Sequence, residues 1–416
     1  MTKLVVQQAP APAIPQRFLL TASVWGVLAG GLLVCDGDTV LASRWAGASV
    51  AVVHAFTLGF LGNAMVGSLL QFLPVAVQAP VRGGRRAAAW LYGLLNAGAL
   101  LLVLALHGPL RLSPMLGGGV LLAAFVLLLV VLLPGLWQAG TQRLLRWGIG
   151  SALLSALVTA LLGFALAAGL SGKTTLALPA LTDLHASWGV LGWVLGLLAA
   201  VSRVVAPMFQ GALPAPARLQ GVWQTLLYGV LLLALLLALA GGALPGMRFA
   251  VAALGLMFAL GGLLLQSRAA KLRNVPLTWF WRSGLLALAA SAGVLATDAD
   301  HAVLVGALAL VLGLPWLVTG MQLEITGFLA WIDLQRRCGR GVRVPGVQSL
   351  VPERDKYIVL SLQLLAGLTL VMAIFRQIPV NSAGVALLLA HAAAVAMQCA
   401  ARWRVRRFVR QRPFSH

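Results

Sequence analysis

The chain of 416 residues holds six histidines, and the five internal ones carry its clearest hint of chemistry. His54, His107, His185, His301 and His391 lie inside apolar stretches or at their mouths. An imidazole is costly within lipid and rarely sits there without a partner or a task. It is also the commonest ligand for metals and haem iron. With the basic loops facing inward, all five fall in the outer half of a membrane or at its outer edge. The elements that carry them therefore decide whether they can meet.

Those elements are membrane helices. The chain is 61% hydrophobic and 9% charged, against about 25% charged residues in a soluble domain. A helix needs about 20 apolar residues to cross the hydrocarbon core. Twelve candidate stretches follow, the ninth short and the tenth long, over 18–35, 48–75, 88–107, 116–137, 147–170, 184–209, 221–243, 249–266, 283–297, 302–332, 357–375 and 383–401. With the N-terminus inside, 25 of the 30 basic residues fall on the inner side and 5 on the outer. That asymmetry is the positive-inside pattern. It predicts both termini in the cytoplasm, in a bacterial inner membrane. Residues 1–17 read as a mobile tail, 18–401 as one transmembrane domain and 402–416 as a basic cytoplasmic tail.

The net charge of +21 belongs to those inner loops and to the anionic leaflet beside them, so nucleic acid is not an expected partner. Cys35, Cys338 and Cys399 form no CxxC and suggest no disulfide. The run Ser171-Gly172-Lys173-Thr174 ends like a phosphate-binding loop. It lacks the earlier glycine, having Ala167 there, and it faces outward, away from ATP.

Three helices share a pattern. The second reads HAFTLGFLGNAMVGSLLQFLP from His54, the sixth HASWGVLGWVLGLLAAVSRVVAP from His185 and the tenth HAVLVGALALVLGLP from His301. Each opens His-Ala and meets a glycine four or five residues on, at Gly59, Gly189 and Gly306. The first two close on a proline, Pro74 and Pro207, and the third meets Pro315 sooner. Second, sixth and tenth imply three sets of four helices. The glycines suit close packing in lipid.

On these residues the chain resembles the haem–copper oxidase subunit I-like superfamily, in its short single-subunit relatives, with a more distant likeness to the NnrS family. The resemblance spans about 18–401. It implies an all-α polytopic membrane protein of about twelve helices, in three four-helix arcs around a pseudo-threefold axis. In that family the second helix carries a haem-ligand histidine and the sixth a copper-ligand histidine, positions matched here by His54 and His185. The departures are as informative. The seventh helix, GVWQTLLYGVLLLALLLALAGG, has no histidine, and the tenth has only His301 at its start. The oxidase ligand set is incomplete, and oxygen reduction is not expected.

The resemblance implies haem b held by His54, with His391 or His185 as second ligand, and leaves copper possible at His185 and His301. His107 reads as a solvated residue at a helix mouth, and Asp183 beside His185 as a metal ligand, a relay or a surface cap. Glu324 lies in the inner half of the tenth helix, where a carboxylate needs a cation. Arg203 is the expected partner, in a structural pair or a proton path. Asn63, Gln71, Asn96 and Gln322 read as polar glue between helices. The expected function is a haem-binding, redox- or gas-linked membrane protein that exchanges electrons with a quinol or a periplasmic donor. The alternative is a transporter or metal-handling assembly factor that reuses the fold.

Overall fold

In a computed structural model, described for residues 8–108, 112–140, 142–175, 177–242, 246–297, 300–338 and 342–411, the chain is helical. Among the described residues twelve helices are long and apolar enough to cross a membrane. They are α1 (Ala13–Asp36), α2 (Gly47–Val77), α3 (Gly84–His107), α4 (Pro114–Gln138), α5 (Arg143–Leu170), α6 (Leu178–Gln210), α7 (Ala217–Leu239), α8 (Met247–Ser267), α9 (Val275–Thr297), α10 (Ala302–Arg337), α11 (Glu353–Ile374) and α12 (Val380–Gln411). The ends differ from the expected boundaries. Helix α1 begins at Ala13 instead of 18, and α12 runs on to Gln411 instead of stopping at 401. Ahead of α1, Ala9 is buried against Val75 and Ile332, and the carbonyls of Ala9 and Pro10 accept hydrogen bonds from Arg336. Residues 1–7 and 412–416, with His416, lie outside the described residues.

Neighbours in space follow chain order around a ring, and α12 closes on α1. The sets of four are α11-α12-α1-α2, α3-α4-α5-α6 and α7-α8-α9-α10, each ending on a central helix. Accordingly α2, α6 and α10 have the most buried cores, 72%, 67% and 61%. The peripheral helices turn leucines such as Leu219 and Leu239 outward. In lipid such exposure costs nothing. Trp90, Trp137, Trp147, Trp279 and Trp403 are exposed at one end of the bundle. That end carries most of the arginines and is called here the basic face. A tryptophan belt at one lipid–water boundary fits this end.

The three central helices share a local departure from α geometry. π-helix occupies Ala55–Gly62 in α2, Trp188–Leu195 in α6 and Ala307–Gly313 in α10. A second π segment follows at Leu73–Val77 and at Ala206–Gln210. Such segments are rare and concentrate at functional sites. The wider turn loosens the backbone ladder, and side chains take up its carbonyls. Asn63 Nδ2 donates to Gly59 O at 2.8 Å, and the Tyr228 hydroxyl donates to Gly192 O at 3.2 Å. Gly59 and Gly192 hold matching places. So do Pro74 and Pro207, and also the left-handed ends Gln78 and Gly211. In this register Gly59 pairs with Gly192, not with Gly189 as the shared His-Ala start suggests. His54 and His185 are two residues out of register with each other.

Polar side chains tie the first arcs together. Asn63 and Asn96 exchange hydrogen bonds at 3.0 and 2.9 Å, and Trp25 Nε1 donates to Asn96 Oδ1 at 2.8 Å. Gln322 of α10 donates to Leu19 O and, at 3.0 Å, to Ser23 Oγ. The reading of Asn63, Asn96 and Gln322 as glue fits these bonds. Gln71 has no side-chain partner among the described residues. Asn96→Leu strands Asn63 and Trp25 together. We expect it to destabilise the detergent-solubilised protein by about 1–2 kcal/mol, read as a lower melting temperature. An unchanged or raised melt would contradict the network.

Candidate functional site

His54 and His185 come together. Each is the eighth residue of its helix, about 10 Å from the start at 1.5 Å per residue. Their rings are 6.3 Å apart between centroids and nearly parallel, at 23°. Had the two held equivalent positions in the repeat, a threefold arrangement would have sent them into separate crevices. The two-residue slip turns one by about 200° relative to the other. Both therefore face one cavity.

The backbone sets both rings in one tautomer. His54 Nδ1 donates to Val50 O at 2.8 Å, one turn back in α2. His185 Nδ1 donates to Thr159 O of α5 at 3.0 Å. A carbonyl can only accept, so both Nδ1 atoms carry hydrogen and each Nε2 keeps its lone pair. That is the arrangement by which proteins orient an imidazole toward a metal. Gly163 makes room for it. A Cβ there would sit 3.0 Å from His185 Cε1, so α5 presents bare backbone to the ring.

The cavity they line is about 1030 Å³, at the top of the range for ligand pockets. Its walls come mainly from α2–α6 and α8–α10, with Leu33 of α1 and Leu370 of α11, and are mostly apolar, as at Leu121, Phe125, Phe164 and Val251. Its charged lining residues are Arg44, Asp183 and Arg248, toward the face opposite the basic one. Arg44 pairs with Asp183 and lies 4.4 Å over the Trp45 ring. Arg248 lies 4.7 Å over Phe249. Asp183 therefore serves the mouth of the cavity, not His185.

The other expected ligands are elsewhere. His391 is fully buried between Phe56 and Phe60, at 5.7 and 5.2 Å between ring centroids. It also packs on Gly26. It does not line the cavity, because Phe56 and Phe60 hold it behind α2, away from His54. Neither of its nitrogens has a partner among the described residues. An unpaired buried polar group costs about 1–3 kcal/mol. We therefore expect His391→Leu to be neutral or stabilising by up to about 2 kcal/mol in a thermal melt; a loss above about 2 kcal/mol would show a bond not seen here. His301 is exposed at the start of α10 and off the cavity wall, so it does not join His185. His107 Nε2 lies 2.9 Å from each Asp36 carboxylate oxygen.

The expected Glu324–Arg203 pair does not form. Arg203 donates to Ala215 O and Gln220 Oε1, both at 2.8 Å, and so ties α6 to α7. Glu324 pairs instead with Lys356 of α11 at 2.5 Å. The sequence reading missed Lys356 because it stands beside Glu353, Arg354 and Asp355 and looks like loop charge. Its long stem carries the ammonium inward.

Two imidazoles are what the site offers. No group of three His, Cys, Asp or Glu residues suited to a metal occurs among the described residues. A bare divalent ion such as zinc wants three or four protein ligands. A porphyrin supplies its own four nitrogens and needs only axial ones. The two imidazoles, the apolar walls and the arginines at the mouth are residues that would suit a haem with carboxylate arms. No protein-family model matches this chain, and no curated protein is detectably similar to it in sequence.

Proposed function

We propose that this protein binds haem b in the cavity between α2, α5 and α6, with His54 and His185 as axial ligands. The observation that carries this reading is the pair of fixed imidazoles, one on each of two central helices, facing one large apolar cavity. The resemblance to the haem–copper oxidase superfamily supports it. A haem held there by His54 and His185 would supply one-electron exchange. The function is then electron exchange with a membrane quinol or a donor at the opposite face. The alternative within this reading is that the bound group would serve as a sensor of a small gas. The basic face belongs in the cytoplasm of a bacterial inner membrane, by the positive-inside pattern. Arg44 and Arg248 would hold the haem carboxylates, and the Nδ1 bonds to Val50 and Thr159 would fix the ligand orientation. The test is the absorption spectrum of protein purified from haem-supplied cells. A Soret band and about one haem per chain are expected; colourless, folded protein would refute the reading.

A second reading, handling of monovalent copper, has its own observation. A narrow pocket of about 120 Å³ lies among α2, α6, α9 and α10 toward the basic face. Met65, Met208 and Met321 line it, one from each central helix. Thioethers are soft ligands that suit Cu(I). Copper retained without haem, and lost from the variant with all three methionines changed to leucine, would favour it.

A further inference from the structure

Arg17 is a cation without a counter-ion in the chain. It sits in the second turn of α1, at the basic face, with its guanidinium 4.9 Å from the Tyr92 ring of α3 and 5.5 Å from the Phe18 ring. Its Nε and Nη2 are buried and have no hydrogen-bond partner among the described residues. Those two nitrogens form one edge of the guanidinium plane. It is the edge that grips two oxygens of a carboxylate or a phosphate side by side. Leaving charged donors buried and unpaired costs more than leaving a neutral one so.

No carboxylate answers this edge. At the basic face Glu324, Asp333 and Asp355 pair with Lys356, Arg337 and Arg404, and Glu353 is exposed at the start of α11. The charge that does reach Arg17 is a like one, from Arg85 of α3. Arg82 and Arg86 are exposed close to Arg85 in the chain.

The surroundings of the edge belong to lipid. Helices α1 and α3 both pack on α2, and they are joined to each other by side chains, Thr21 with the Tyr92 hydroxyl and Trp25 with Asn96, both at 2.8 Å. Arg17, Val24 and Leu28 fall on one stripe of α1, and Val24 and Leu28 are exposed. On α3 the residues Trp90, Gly93, Ala97 and Leu100 are exposed, and a Cβ on Gly93 would meet nothing within 4 Å. The seam between α1 and α3 thus has a cation at headgroup level, a tryptophan of the interfacial belt beside it, and apolar stripes leading into the membrane.

We propose that the basic-face end of the α1–α3 seam is a binding site for one anionic phospholipid. Its phosphodiester oxygens take the Nε–Nη2 edge of Arg17, and its acyl chains lie on Val24, Leu28 and Leu100. A phosphodiester offers two oxygens at the spacing of that edge, and its tails bring it to this depth. The arginines around the site select a lipid of net negative charge over a zwitterionic one. No bond is made or broken. The site stands whatever fills the cavity.

Lipid titration tests it. The full-length protein, freed of lipid in detergent, is titrated and the first bound lipid is read by native mass spectrometry. The wild type is expected to hold phosphatidylglycerol at least about tenfold more tightly than phosphatidylcholine. Arg17→Gln should weaken phosphatidylglycerol binding about tenfold or more, because two charge-assisted hydrogen bonds are lost. Arg17→Lys keeps the charge but not the fork, and should lose most of the same affinity. Arg218→Gln removes an exposed charge at the start of α7 and should change nothing. Wild-type affinity in either Arg17 variant, or an equal loss in Arg218→Gln, would overturn the site. So would equal binding of the two lipids, or displacement of phosphatidylglycerol by equimolar inorganic phosphate, which would make a soluble anion the occupant. If Arg17→Gln does not fold, Arg17→Lys carries the test.

Discussion

If haem is bound as proposed, replacing His54 or His185 by alanine is expected to strip most of it from the purified protein. Removing even the groups that merely orient a metal ligand costs about 10- to 100-fold in affinity. Losing an axial imidazole itself should cost at least that. The two substitutions should act alike, because each leaves one imidazole in a cavity of about 1030 Å³ with apolar walls and no other histidine. His391→Leu is the matched control, since Phe56 and Phe60 keep that ring behind α2. It should leave haem content unchanged. Haem retained in full by both alanine variants would show that the cavity does not bind iron through these rings. Haem lost from His391→Leu alone would move the site behind α2.

The second large effect concerns stability. Lys356→Met leaves the buried Glu324 carboxyl without its partner, and Glu324→Gln strands the ammonium. Breaking a buried pair from one side typically costs about 3–5 kcal/mol. Each single variant should therefore melt well below the wild type in detergent. The double variant Glu324→Leu/Lys356→Met removes both charges and should recover most of the loss, because well-packed apolar replacements of buried pairs are often neutral or better. Equal losses in single and double variants would mean that the pair is not coupled as its 2.5 Å contact implies. Arg203→Gln should not reproduce the effect of Lys356→Met, since its bonds run to Ala215 and Gln220.

How much of this could be read from the sequence follows from which forces leave a linear trace. Helix number did, because lipid demands a continuous apolar run for each crossing. The central role of α2, α6 and α10 also left a trace, in their repeated glycines and prolines. Side-chain direction did not. His391 sits mid-helix in LLLAHAAAVAM, where every face is apolar, so its depth was legible and its bearing was not. The slip between His54 and His185 was masked by the matching His-Ala starts. It emerges only from the π segments, which hydropathy does not encode. Glu324 called for a cation, and the nearest helix-borne arginine was the natural choice. Helix packing selected Lys356 instead, from a charge cluster that reads as loop. Arg44 and Arg248 are among the 5 basic residues the sequence places on the outer side, and only the fold brings them to one cavity mouth.

The proposed ligand pair can be tested directly by spectroscopy. Near-infrared magnetic circular dichroism of the ferric protein distinguishes two imidazoles from one imidazole with water, a thioether or a thiolate. The wild-type protein should show low-spin iron with two imidazoles, and His185→Ala should lose that signature while staying folded. A wild-type spectrum of high-spin iron, or of iron with a single nitrogen ligand, would contradict the shared site at His54 and His185.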